Sequence, residues 1–280
     1  MKRLLGAVSI AMLTMGSGLL WADQNGVQHS QQPNAQWEHY IESAGVSVVL
    51  DQANDLIEQE IRNLENAPLG FTPAQLEQMR DQLRVRLGSE RLKQDIVARL
   101  QRDYSPQQLQ ELNGVLESKS LQALQQLQLQ LTDADVRQAM RSYRIKVKEQ
   151  SPNQTRLQLV SSLDQQLQQS ALETELKVEL RKQLLATVSH LKTSETFPED
   201  LLERQLEDYR ATVEGEISEN AVFAYLYLLK RTPSSRVRDL LVSLDEPAFE
   251  AFMALCLDAM QDSFRKAREQ INENVQLAGN

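Results

Sequence analysis

The chain is poor in the residues from which most reactive sites are built. It has one cysteine, Cys256, so no internal disulfide can form. It has three histidines, His29, His39 and His190, and none has a partner at metal-ligand spacing. There is no H-x-x-x-H and no C-x-x-C. The one D-x-D, Asp133-Ala134-Asp135, is followed by neither a third ligand nor a glycine turn. It falls where a helix begins, and carboxylates are favoured there without a metal. The ten glycines are scattered singly, which leaves no phosphate-cradling loop. The expectation is therefore no metal, no cofactor and no catalytic residue. A positive balance is also lacking: 30 Lys and Arg stand against 39 Asp and Glu, a formal charge of −9, so there is no general attraction for nucleic acid or for an anionic membrane.

Gly and Pro are sparse while Gln, Leu, Glu and Arg are abundant, a composition that favours helix over strand. The longest uncharged run, residues 4–22, follows Lys2 and Arg3 and ends Leu20-Trp21-Ala22. A positive start, an apolar middle and a small residue before Asp23 make a secretory signal with cleavage after Ala22. The run is short and broken by Gly6, Gly16 and Gly18, which argues against a permanent membrane helix. No cysteine stands at the cleavage point to carry lipid. A two-residue basic start fits a bacterial export signal, so the mature protein is expected in the periplasm, with no stable membrane insertion once the signal is gone. Losing Lys2 and Arg3 takes the formal charge from −9 to −11.

The rest of the chain reads as helix after helix. A polar lead-in spans residues 23–35. Leu76, Met79, Leu83 and Leu87 recur at helical spacing after Thr72-Pro73-Ala74-Gln75, a capping box with Pro at the first helical position. Ser105-Pro106-Gln107-Gln108 and Ser151-Pro152-Asn153-Gln154 have the same form. Thr132 with Asp135 is read as the cap of a helix whose inward stripe is Val136, Met140, Tyr143 and Val147. Nothing reads as a strand.

The stretch from Ser105 to Met140 recurs 113 positions later, from Ser218 to Met253. Leu124, Leu127 and Leu131 match Val237, Leu240 and Leu244. Val136, Met140, Tyr143 and Val147 match Phe249, Met253, Cys256 and Met260. Ser105 and Ser218 are taken as equivalent caps, as are Thr132 and Asp245. The coincidence of caps, breaks and stripes argues for an internal duplication. The expected architecture is all-α, with two related units of five or six antiparallel helices each: signal 1–22, lead-in 23–35, first unit 36–150, second unit 151–276 and a tail 277–280.

Four side chains stand out against this background. Arg137, Arg141, Arg144 and Lys148 follow one another at steps of four, three and four, so they share one helix face beside the stripe of Val136, Met140, Tyr143 and Val147. On an acidic protein such a face is either ordinary solvated surface or a docking site for an acidic partner or lipid headgroups. The matching positions in the second half are Glu250, Ala254, Leu257 and Gln261. Other candidates read as structural. Cys256 lies on an apolar stripe, where a thiol keeps its proton. Glu117-Ser118 shares two residues with the catalytic glutamate motif of helical cell-wall lytic enzymes, but Leu121-Gln122-Ala123-Leu124 stands where a Gly- and aromatic-rich stretch should follow. Arg91 with Asp95, and Arg204 with Asp208, read as surface ion pairs on helices. Residues 221–229 are apolar all round and need cover on every side, either as a central helix or as a contact between chains.

Ser218 through Leu229, the break Lys230-Arg231-Thr232-Pro233 and the amphipathic run Val237 to Leu244 resemble a helical domain of unknown function found in secreted proteins of Gram-negative bacteria. That resemblance implies a helical periplasmic protein and no known activity. Three functions stay open. One is a non-catalytic binding protein that takes a protein or envelope component on its helix faces. The others are an envelope enzyme with a catalytic carboxylate, and a structural homodimer or other homo-oligomer.

Overall fold

The structure, a computed structural model, describes residues 32–150, 152–193 and 199–278. The expected leader, most of the lead-in, Ser151 and Phe197-Pro198 lie outside the described residues. Every regular element among the described residues is helical. The first half holds α1 (Gln32–Ser43), α2 (Val46–Leu50), α3 (Ala53–Asn66), α4 (Pro73–Leu87), α5 (Ser89–Asp103), α6 (Pro106–Leu116), α7 (Lys119–Leu129), a 3₁₀ turn (Gln130–Thr132) and α8 (Ala134–Glu149). The second half holds α9 (Gln154–Leu167), α10 (Gln169–Thr193), α11 (Glu199–Leu228), α12 (Ser234–Leu244) and α13 (Pro247–Ala278). The all-α class follows directly.

Local chemistry sets most of the boundaries. Thr72 and Ser105 accept from the backbone N–H of Gln75 and Gln108, both at 3.3 Å, and each glutamine side chain accepts the cap's own N–H at 2.9 Å. These are the two reciprocal capping boxes, with Pro73 and Pro106 supplying a φ already suited to the first turn. Ser118 caps α7 by accepting from the N–H of Leu121 at 3.3 Å.

Four caps depart from expectation. Asp133, not Thr132, caps α8 by accepting from the N–H of Asp135 at 2.8 Å, because the 3₁₀ turn carries the chain through Thr132 first. Asn153 caps α9 by accepting from the N–H of Thr155 at 2.8 Å, so that helix starts at Gln154 and Pro152 precedes it. Asp245 closes α12 instead of opening α13. Ser218 caps nothing, because it lies inside the 30-residue α11. The reason is its neighbour: Ser105 precedes a proline, which forces extended backbone and ends α5, whereas Ser218 precedes Glu219 and the helix runs on.

One buried apolar cluster extends from Trp37 to Ala267 and draws on both halves. The central element is α10, which packs on α2, α3, α9, α11 and α13. The second major strut is α13, which packs on α4, α5, α6 and α10. Phe249, Phe252, Met253, Cys256, Met260 and Phe264 on α13 are at most 1 % exposed. Each phenylalanine contributes roughly 1.5–3 kcal/mol by leaving water. Tyr104 pins this strut: its hydroxyl donates to the carbonyl of Ala248 at 2.5 Å, and its ring meets Trp37 and Phe252 edge to face. Residues 221–228 form the C-terminal end of α11 and Leu229 opens the turn after it; Tyr225, Leu226, Leu228 and Leu229 are buried in the same chain. Tyr225 finds its polar partner in Gln169, donating to the side-chain oxygen at 3.2 Å.

Candidate functional site

Two surface depressions stand out among the described residues. One, of about 400 Å³, lies between α1 and α5 and is lined by Glu38, Glu42, Glu90, Lys93 and Gln94 among others. Lys93 is neutralised there: burial alone would lower its pKa, but hydrogen bonds to Asp51 and Glu90 outweigh that and hold it above the ordinary value. The other, of about 430 Å³, runs between α3 and α11 over α10, with Leu180, Val213 and Ile217 among its lining residues. Neither is lined by a cysteine or a histidine. Among the described residues no group of three His, Cys, Asp or Glu side chains is placed to hold a metal ion, and no helix is long and apolar enough to cross a membrane.

The residues singled out as reactive are placed as structural elements. Cys256 is fully buried, and desolvation pushes its thiol pKa far above the ordinary value. Glu117 is exposed and ends α6. Arg91 pairs with Asp95 at 3.1 Å, and Asp95 also accepts from Ser263 on α13 at 2.9 Å. Arg204 turns to Asp200 at 3.0 Å instead of to Asp208. A carboxylate four residues N-terminal to its cation is the better-oriented helical pair, and Asp200 supplies one.

The basic row on α8 is where sequence and structure meet at a surface. No residue of α8 whose side chain is described is fully buried. Tyr143 and Val147 pack against the main core; Val136 and Met140, on the same stripe, are half-buried and stand outside that cluster. Ile145 is 61 % exposed, and Leu129, at the end of α7, is 58 % exposed. The principal contacts of α8 are with the 3₁₀ turn and α11.

The four basic residues do not act alike. Arg144 turns toward α11, pairs with Glu219 at 3.1 Å, donates to the side-chain oxygen of Asn220 at 2.7 Å, and lies 4.7 Å from the ring centre of Phe223. Beside it the Tyr143 and Tyr227 rings meet edge to face at 5.6 Å. Arg137 and Arg141 are exposed. Lys148 continues the row, and its side chain lies outside what the structure describes. The residue chosen from the sequence as one of four equal charges is thus the anchor that ties α8 to the body, and the outward charges flank Met140 and Val136.

The stripe 113 residues further on fares differently. Phe249, Met253, Cys256 and Met260 are 0–1 % exposed, sealed between α5, α6 and α10. The same pattern of side chains is therefore covered on all sides in α13 and on one side in α8. Sequence reasoning also missed a polar seam along α10. Glu175 pairs with Arg210 of α11 and accepts from Gln261 of α13 at 3.2 Å, while Glu179 accepts from Arg268 at 2.6 Å. Lys182, only 2 % exposed, pairs with Glu203.

Fold and face together give an all-helical arrangement of the described residues in which the half-covered helix α8 carries a basic row. No family model, curated protein or solved structure matches the chain.

Proposed function

We propose that this is an exported, non-catalytic helical protein of the periplasm that binds a protein or envelope component through α8. The observation that carries this reading is the contrast along one helix. Val136 and Met140, both half-buried, leave apolar area in water beside the exposed Arg141, on a chain whose formal charge is −9. A half-covered stripe is unfavourable in isolation, by about 25 cal/mol for each Å² left wet, and gains stability when a partner covers it. The basic start and apolar run of residues 2–22 support export, with Asp23 as the first residue of the mature chain. The likeness of the Ser218–Leu244 stretch to exported helical domains belongs to the same reading.

The test is photo-crosslinking in cells that export the full chain. Benzoylphenylalanine is placed at position 140 or, as control, at the exposed apolar position 85 on α4. Discrete adducts at 140 that are absent at 85 are expected, and mass spectrometry of the mature protein should give Asp23 as its N-terminus. Equal or absent adducts at the two positions would remove the case for α8 as the binding face.

A further inference from the structure

We propose that the link between α11 and α12, with the helix ends beside it, forms a basic pole that docks peripherally on a bilayer of anionic phospholipid. The proposal goes beyond the reading of α8 as a binding face. It needs no open apolar flank, and its surface is assembled from three separate stretches of chain.

The charge pattern is the starting point. Residues 136–148, 150–163 and 220–238 contain no Asp or Glu. They hold five, one and four of the chain's 30 Lys and Arg. The fold brings these stretches together. Tyr143 of α8 meets Tyr227 of α11 edge to face at 5.6 Å, and Lys230 lies 3.6 Å from the centre of the Tyr227 ring. Arg156 of α9 donates to the carbonyl of Leu229 and to the hydroxyl of Ser234, at 2.5 and 3.5 Å, and so clamps the link from below. Arg141, Lys146, Lys230, Arg231, Arg236 and Arg238 are all exposed. Arg236 shares Asp239 at 3.8 Å, a pair with 77 % and 60 % of its side chains in water, which screening leaves weak.

The chain as a whole is acidic, but charges further apart than about 8 Å are largely screened at physiological salt, so the local excess decides what this pole attracts. Three properties favour a lipid surface. First, none of the six exposed cations lines either depression. They stand on a link and on helix turns, and a bilayer of mobile phosphates can meet them without a matched shape. Second, apolar side chains accompany the charge. Val242 lies four residues beyond Arg238 and Ile145 four beyond Arg141, each on the helix face of its cation, and they are 74 % and 61 % exposed. Basic residues with apolar neighbours suit the headgroup layer. Third, no helix among the described residues is long and apolar enough to cross a membrane, which leaves contact at the surface as the available mode.

The test is sedimentation of the full chain with large vesicles of phosphatidylcholine, with and without phosphatidylglycerol. Binding is expected only to the anionic vesicles and should fall as salt is raised. Each basic side chain near such a surface is worth about fivefold in affinity, so R231Q/R238Q should weaken binding by about twenty-five-fold. R62Q/R204Q removes two exposed cations elsewhere, on α3 and α11, and gives the same net charge. It should bind as the parent does, and both double variants should keep the parent's far-ultraviolet circular dichroism. An environment-sensitive dye on Val242→Cys should shift to shorter wavelength on anionic vesicles, and the same dye on Val85→Cys should not.

No binding to anionic vesicles, equal binding to neutral ones, or equal loss in the two double variants would overturn the proposal. So would a dye shift at position 85 and none at position 242. A poly-glutamate peptide or a short oligonucleotide that binds, with the vesicles failing, would overturn it as well and assign the pole to a soluble polyanion. The vesicle assay needs neither export nor a partner on α8, so its failure and the failure of the crosslinking at position 140 are separate results.

Discussion

Arg268 of α13 donates to Glu179 of α10 at 2.6 Å, with 9 % and 8 % of the two side chains exposed. The pair sits where two long helices cross, in a seam that apolar residues fill elsewhere. Removing Arg268 leaves the Glu179 carboxylate buried without its cation, which costs about 3–5 kcal/mol. Replacing both with apolar residues of similar volume removes the desolvation cost as well as the attraction. Urea denaturation should therefore show R268M alone and E179L alone each strongly destabilised, and R268M/E179L markedly less so than the sum of the two. An additive double variant would mean that the two side chains do not act as a pair.

Asp164 gives a pH signature. It is buried on α9, where desolvation raises its pKa, the Ser170 hydroxyl donates to it at 2.5 Å and opposes the rise, and nearby Glu173 adds to it. A carboxyl whose folded pKa lies above its unfolded value binds its proton more tightly in the native state. Its contribution to stability is present below the ordinary aspartate pKa of about 3.9 and is lost as the pH rises through the raised folded value. Asp164→Asn keeps an oxygen for Ser170 and removes the charge. Thermal melts should place this variant above the parent at pH 7, with the gap closing as the pH falls toward 4. A gap that is constant with pH, or of opposite sign, would contradict the assignment.

Gly45 occupies the turn between α1 and α2 with φ of +75°, and a Cβ there would collide with the side-chain amide of Gln169. That amide donates to the carbonyl of Ala44 at 3.0 Å and so ties the turn to the start of α10. Left-handed backbone costs a non-glycine residue about 1–2 kcal/mol, and the displaced Gln169 loses its bond in addition. Gly45→Ala should lower stability by about 2 kcal/mol or more. Once Gln169 is already alanine, the same change should cost less, because the collision is gone and only the backbone term remains. Equal costs in the two backgrounds would show that Gln169 does not press on the turn.

The pattern of leucines and caps made the helices legible because both signals are local. Thr72, Ser105 and Ser118 satisfy N–H groups three residues away, and no tertiary contact is needed to decide that. Of the misplaced caps, Thr132 is read locally with Asp135, whereas Asp245 and Ser218 rest on the correspondence across 113 residues. Each failed where the two halves differ by a proline or a turn. The seam along α10 was invisible for a different reason. Glu175, Glu179 and Lys182 are spaced as any solvated helix face would be, and only the arrival of Arg210, Glu203 and Arg268 from distant sequence buries them. The basic row on α8 was legible as a row. That Arg144 points into the fold while Arg141 points out depends on Glu219 and Phe223, which the spacing along α8 does not contain.

The difference in cover between α8 and α13 can be read with thiols. Cys256, the only native cysteine, is fully buried, and desolvation holds its thiol protonated, so it should react with a disulfide reagent only as fast as the protein unfolds. Met140 and Met253 occupy corresponding positions on the two helices, the first half-buried and the second 1 % exposed. The unmodified chain should therefore show no fast thiol under native conditions. Met140→Cys should add one fast thiol, and Met253→Cys should add none, the two rates differing by about a thousandfold if α13 opens only with global unfolding. A ligand that covers Val136 and Met140 should slow the Met140→Cys reaction in proportion to its occupancy and leave Cys256 unchanged. Equal reactivity at 140 and 253 would show that α8 is sealed in solution as α13 is, and the open flank on which partner binding depends would be absent.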